Sequence, residues 1–321
     1  MVRALDQAAQ PIAPPTVISV KAESVGGVAL AATAGGDVAL AWVGKDGGIG
    51  QVFVTQLAAS GEKQTQRMLT HTKGSCSDVT LVATASGWLL GWIDSHDGLA
   101  DVNVAKLGKD MNRVGPEHRI AQSKGDAAEL QLLARGDDVF LAWNEVRSEA
   151  ALSGILVARL AGGDLGVRGD PLRVAQAAPH ARGLALAPFE DGVVLGWIED
   201  SPPGRPETAA KRTVVLARLD PALRLVAEPV RPLLASDPSS LALDCDHTCR
   251  IVVPSADQER LSFYGFAYGG GRSADPPARL TIIPGASTED VSPVLLRDWL
   301  FFAEDNLHGG GRLRRAKIVW R

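Results

Sequence analysis

The chain has 321 residues, 45% apolar and 22% charged, close to globular averages, which is enough apolar material for a large core and unlike the composition of a disordered chain. A formal net charge of −4, with Arg and Lys scattered rather than clustered, excludes the basic footprint of a nucleic-acid-binding surface. No run reaches the ~18 to 20 continuous apolar residues of a membrane-spanning helix.

The opening hexapeptide, Met1 to Asp6, lacks the basic and long apolar regions of an export signal. The chain therefore reads either as cytoplasmic or as an exported protein whose signal has been removed. Residues 1–15, rich in Ala, Gln and Pro, read as a flexible lead. Val17-Ile18-Ser19-Val20 is a short strand with no hairpin partner beside it.

From residue 25 onward one unit recurs, and a repeat of this kind decides the fold. Its anchor is a short apolar strand ending in a large aromatic residue. The anchors occupy 38–42, 88–92, 139–143 and 193–197, so Trp42, Trp92, Trp143 and Trp197 fall about fifty residues apart; degenerate copies follow at 250–253 and 299–302. An alternating apolar run and a Gly/Asp-rich turn precede each anchor, the punctuation of a β-hairpin. A polar loop and a third strand follow, at 49–57, 102–107, 155–160, 214–219, 261–268 and 313–320. A shorter fourth strand closes the unit at 67–69, 119–121, 172–174, 231–234 and 280–283. The stretch 126–133 reads as a helix in isolation, but its place before the third anchor makes it a first strand.

Four antiparallel strands per unit predict an all-β chain folded as a six-bladed β-propeller. The blades are expected at about 25–70, 78–122, 127–176, 181–236, 240–284 and 290–321, within one domain spanning 16–321. The last unit ends after its third strand, so 17–20 is expected to supply the fourth and hide an open sheet edge. Five or seven blades are the alternatives. The run Gly36-Asp37-Val38-Ala39-Leu40-Ala41-Trp42, then a loop containing Asp-Gly, then a Val-rich strand ending in Leu, resembles the sialidase-like bacterial propellers. The resemblance implies architecture alone. The sialidase Asp-box is absent, as are the repeat signatures of other propeller families, so no family's active-site residues carry over.

Cys245 and Cys249 flank an evident turn and are read as a disulfide, which implies an oxidising compartment. Cys76 is left over, either buried or reactive. The four anchor tryptophans read as packing between neighbouring sheets rather than as sugar platforms. Acids gather just after the anchors, with two histidines among them. Asp94, His96, Asp97, Glu145, Glu199, Asp200, Arg205, Glu304, Asp305 and His308 are the candidate partner-binding residues. Asp46, Asp94, Glu199 and Glu304 are the candidate ligands should the chain bind Ca²⁺; no other cofactor is implied. The first expectation for function is a secreted, periplasmic or surface-attached, non-catalytic propeller presenting one loop face to a protein or glycan. The alternative is a metal-assisted hydrolase or lyase with its site at the channel mouth.

Overall fold

The computed structural model describes residues 2–6, 8, 10–18, 25–96, 98–120, 125–147, 152–177, 181–200, 212–234, 237–257, 260–271, 274–284, 293–296, 298–306 and 310–320. Among them every regular element is a β-strand. The chain divides into two compact units, Met1–Glu149 with Ala158–Pro171 and Ala150–Val157 with Leu172–Arg321.

The strands form six antiparallel sheets, each a meander in chain order. The first holds β1 (Val25–Ala32), β2 (Val38–Asp46), β3 (Ile49–Leu57) and β4 (Lys63–Met68). The second holds β5 (Cys76–Thr84), β6 (Gly87–Asp94), β7 (Asp101–Leu107) and β8 (Arg113–Arg119). The third holds β9 (Asp126–Arg135), β10 (Asp138–Arg147), β11 (Leu152–Ala161) and β12 (Leu172–Ala177). The fourth holds β13 (Arg182–Phe189), β14 (Gly192–Asp200) and β15 (Arg212–Leu219). The fifth holds β16 (Ala242–Cys245), β17 (Cys249–Asp257), β18 (Arg260–Tyr268) and β19 (Ala278–Pro284); the sixth holds β20 (Val294–Leu296), β21 (Trp299–Asn306) and β22 (Gly310–Lys317).

In a meander of this kind the turn from second to third strand lies at the same end as the exit of the fourth strand. Inter-sheet connections and 2–3 turns are thereby brought to one end of each sheet. Second strands are the most deeply buried because both faces are covered: β6 and β14 are buried along almost their whole length. The anchor tryptophans at 42, 92, 143 and 197 are 4%, 1%, 0% and 0% exposed, so they pack in the core and offer no open platform to a sugar ring. Each such ring contributes roughly 2 to 3 kcal/mol of burial. The outer strands of the first two sheets are polar: β4 carries Lys63, Gln64, Gln66 and Arg67, and β8 carries Arg113, Pro116, Glu117, His118 and Arg119, the composition that blunts an exposed edge.

One recurrent device has no sequence motif. The first strands of sheets one to four each carry a β-bulge, with a left-handed residue at Gly27 (φ 51°), Asp78 (φ 39°), Glu129 (φ 54°) and Gly183 (φ 65°). In the first unit these bulges touch: a Cβ on Gly27 would lie 3.1 Å from Asp78 Cα, and Glu129 N–H donates to Asp78 Oδ2 at 2.9 Å. That hydrogen bond helps hold Glu129 in a conformation that otherwise favours glycine.

Two expectations need adjusting. The fourth strand expected at 231–234 does not form; the outer pairing of sheet four reduces to isolated bridges at Leu216–Val230 and Leu219–Leu225. Pro229 and Pro232 flank Val230 and remove the N–H donors a ladder would need. The opening segment is folded back on itself by the bridges Val2–Thr16 and Leu5–Pro11, and Ile18 is buried against Leu40, Trp42 and Leu57. Ser19 and Val20 of the expected closing strand lie outside the described residues. Among the described residues no helix is long and apolar enough to cross a membrane, which says nothing of a β-barrel.

Candidate active site

The second sheet brings two carboxylates face to face. In the β6–β7 hairpin Asp94 lies directly opposite Asp101, and Trp92 opposite Asn103. Residues two apart on a strand share a face, so Trp92 and Asp94 align with Asn103 and Asp101 on one side of the hairpin. This face opens into a cavity of about 560 Å³. Its walls come from three places: the hairpin, the connection between sheets one and two (Leu69, Thr70, His71, Thr72), and the outer strand β8 (Arg113, Glu117, Arg119).

Each charged group has a defined partner. Asp101, with its side chain 5% exposed, is ion-paired with Arg119. Asn103 Nδ2 donates to the Asp101 carbonyl at 3.2 Å. Asp94 is half-buried, and its Oδ1 accepts from the Thr72 hydroxyl at 3.0 Å. The same hydroxyl lies 3.4 Å from His96 Nδ1. At the far wall Arg113 pairs with Glu117 at 2.9 Å and donates to the Leu69 carbonyl at 2.9 Å. Arg113 and Arg119 pair with two of the three carboxylates, which suits a ligand rich in hydroxyls better than a bare cation. Among the described residues no group of three or more His, Cys, Asp and Glu side chains is placed to hold a metal ion.

Beneath the cavity lies a polar floor. Gln51 on β3 is buried and bonds to Thr70 and Thr72; the Thr70 hydroxyl in turn accepts from Val52 N–H at 2.8 Å. The Cys76 thiol donates to that hydroxyl at 3.6 Å, and burial pushes it up to about 11.

Of the residues expected to bind a partner, Asp94 and His96 line this cavity. Glu145 is buried on β10. Glu199 on β14 is buried too; its carboxylate accepts from Trp197 Nε1 at 3.2 Å and pairs with Arg231 at 3.0 Å. Asp200 lies 4.0 Å from Arg182. Asp97, Arg205 and His308 lie outside the described residues, and of Asp46, Glu304 and Asp305 only the backbone, on β2 and β21, is described. Asp101, Asn103, Glu117, Arg119 and Thr72 were not singled out from the sequence. Asp101 had one readable signal, its position at the mouth of a hairpin whose other arm ends in Asp94. Cys245 and Cys249 are joined by a disulfide across the turn between β16 and β17.

No protein-family model matches the chain, and no curated protein matches its sequence. Solved structures do match its shape. An α-L-arabinofuranosidase from Fusarium graminearum, solved with an iminosugar inhibitor, superposes with a TM-score of 0.58 at 12% identity, covering 92% of each chain. The chain has a β-propeller fold. This propeller is also similar to a neuraminidase-like protein from the virus A/bat/Guatemala/164/2009, with a TM-score of 0.57 at 10% identity over 90% of this chain and 86% of that one. A lectin from Aleuria aurantia, solved with α-methyl-L-fucoside, matches with a TM-score of 0.53 at 12% identity over 90% of each chain. With a glycoside hydrolase among these neighbours, the expectation of a non-catalytic scaffold is set aside, and its alternative is taken up below as a proposal.

Proposed function

We propose that this propeller is a hydrolase of glycosidic bonds, acting in the cavity of the second sheet. One observation carries the reading: Asp94 and Asp101 face each other across the hairpin in a single cavity. Glycoside hydrolysis uses two carboxyl groups flanking the scissile bond, one to move a proton and one to meet the positive charge of an oxocarbenium-like transition state. Asp94, half-buried and steadied by the Thr72 hydroxyl, is assigned proton transfer. As an ionised carboxylate it takes a proton from the attacking water as the C–O bond breaks; the water's hydroxyl completes one product, and the leaving oxygen takes a proton from solvent. Asp101, buried and paired with Arg119, is assigned the charge-stabilising role. Asn103, His96 and Arg113 are then the groups that meet sugar hydroxyls.

The same reading takes the six sheets as six blades, with 17–20 completing the last. It places the protein in an exported, oxidising setting, supported by the Cys245–Cys249 disulfide. The test is a hydrolysis screen over aryl glycosides and plant, fungal and animal oligosaccharides. Wild-type protein should release sugar from at least one class, and Asp94→Asn should lower that rate by about 10²- to 10⁴-fold. No release from any class, or full activity in Asp94→Asn, rejects the proposal.

A further inference from the structure

The connection that carries Thr72 is gripped from both sides. On one side, Gln51 Nε2 donates to the Thr72 carbonyl at 3.0 Å, and Gln51 Oε1 accepts from Thr72 N–H at 3.2 Å and from the Thr70 hydroxyl at 2.9 Å. Gly50 N–H donates to Ser75 Oγ at 3.1 Å. On the other side, Ser95 Oγ accepts from Ser75 N–H at 3.0 Å and donates to the Ser75 carbonyl at 3.1 Å. The fit leaves no room for a side chain at two positions. A Cβ on Gly50 would lie 2.4 Å from the Cys76 carbonyl oxygen, and one on Gly74 would lie 2.6 Å from His96 N and Cα. Thr72 is thus placed by its neighbours on both sides, with Gln51 as the largest single contributor.

The hydroxyl of Thr72 has one proton to give and two lone pairs to fill. An ionised carboxylate only accepts, so the proton goes to Asp94 Oδ1 at 3.0 Å. Gly74 N–H fills one lone pair at 3.0 Å. His96 Nδ1 stands 3.4 Å away, and with the hydroxyl proton already committed that contact is attractive only if Nδ1 carries a hydrogen. We infer that Thr72, held by Gln51, fixes neutral His96 in its Nδ1–H tautomer while orienting Asp94, so that Gln51 and Thr72 are positioning residues of this site. Nε2 is then the proton-accepting nitrogen of the ring. The effect on turnover rests on the function proposed above; the tautomer does not.

Nitrogen-15 spectra of the full chain, at a pH where the ring is neutral, test the tautomer without any substrate. Wild-type protein and Thr72→Ser should show His96 protonated at Nδ1. Thr72→Val, which keeps the side-chain shape, should lose that preference, and so should Gln51→Leu, although Gln51 does not bond to His96. Protonation at Nε2 in the wild type, or an unchanged preference in Thr72→Val, overturns the inference. An unchanged preference in folded Gln51→Leu overturns the part assigned to Gln51. Should Gln51→Leu fail to fold, Gln51→Glu, which keeps the acceptor and loses the donor to the Thr72 carbonyl, takes its place. In turnover, Thr72→Val should lower kcat by about 10- to 100-fold at unchanged KM, with Thr72→Ser close to wild type. Loss of the tautomer with full turnover would sustain the hydrogen-bond inference and count against the proposed function.

Discussion

The second and fourth sheets begin from the same plan and end in different chemistry. Each has a buried tryptophan on its second strand and an acid two residues later: Trp92 with Asp94 on β6, Trp197 with Glu199 on β14. On β14 the acid is closed off. Glu199 accepts from the indole N–H of Trp197, pairs with Arg231, and faces Thr213 across the hairpin, while Trp197 faces Val215. On β6 the facing residues are Asp101 and Asn103, and Arg119 pairs with Asp101 rather than with Asp94. The buried indole N–H of Trp92 has no hydrogen-bond partner among the described residues. An acid that has its own arginine and no second acid opposite it is a finished piece of structure. Two acids beside one arginine leave a carboxylate for chemistry, and the residue on the neighbouring strand decides which case applies.

That difference can be attacked directly. The largest stability effect is expected from Thr213→Asp, which gives the fourth sheet the second sheet's acid pair at a buried position. Thr213 is 3% exposed, and a second buried carboxylate beside Glu199 should cost roughly 2 to 4 kcal/mol in a urea melt. A neutral result would mean that the acid pair on β6 needs no special surroundings. Removing the acid instead is milder: Glu199→Gln weakens the bond to Arg231 but keeps an acceptor for Trp197, so about 1 to 2 kcal/mol should be lost.

The smallest effect concerns Cys76, below the cavity floor. Its thiol is raised from 9.0 to about 11, chiefly by burial, so between those values the folded chain keeps a proton that the unfolded chain has released. Stability should therefore fall as pH rises above 9.0 toward about 11, and Cys76→Ala should remove that component of the slope. Alkylation of the native thiol near neutral pH should proceed only at the rate of opening; rapid labelling of folded protein would refute its burial.

Much of the architecture was legible because a period of about fifty residues survives in the anchor tryptophans, which must be large and apolar to fill the space between sheets. The bulges at Gly27, Asp78, Glu129 and Gly183 were not legible, because backbone conformation recurs there while residue type does not. The missing outer strand of sheet four shows a different limit, a pair of prolines overruling the repeat. At the site, Asp94 and His96 stood out as polar residues following an anchor. Asp101 did not, since its meaning depends on strand register: only the pairing of β6 with β7 puts it opposite Asp94. Arg119 read as the start of an outer strand, and its partner lies 18 residues away in the chain.

The account is tested most directly by measuring turnover of wild-type protein, Asp101→Asn and Glu199→Gln side by side on one glycoside substrate. Loss of about 10²- to 10⁴-fold in kcat/KM for Asp101→Asn, with Glu199→Gln near wild type, is the expected result. Equal rates for Asp101→Asn and wild type, or a loss confined to Glu199→Gln, would contradict it.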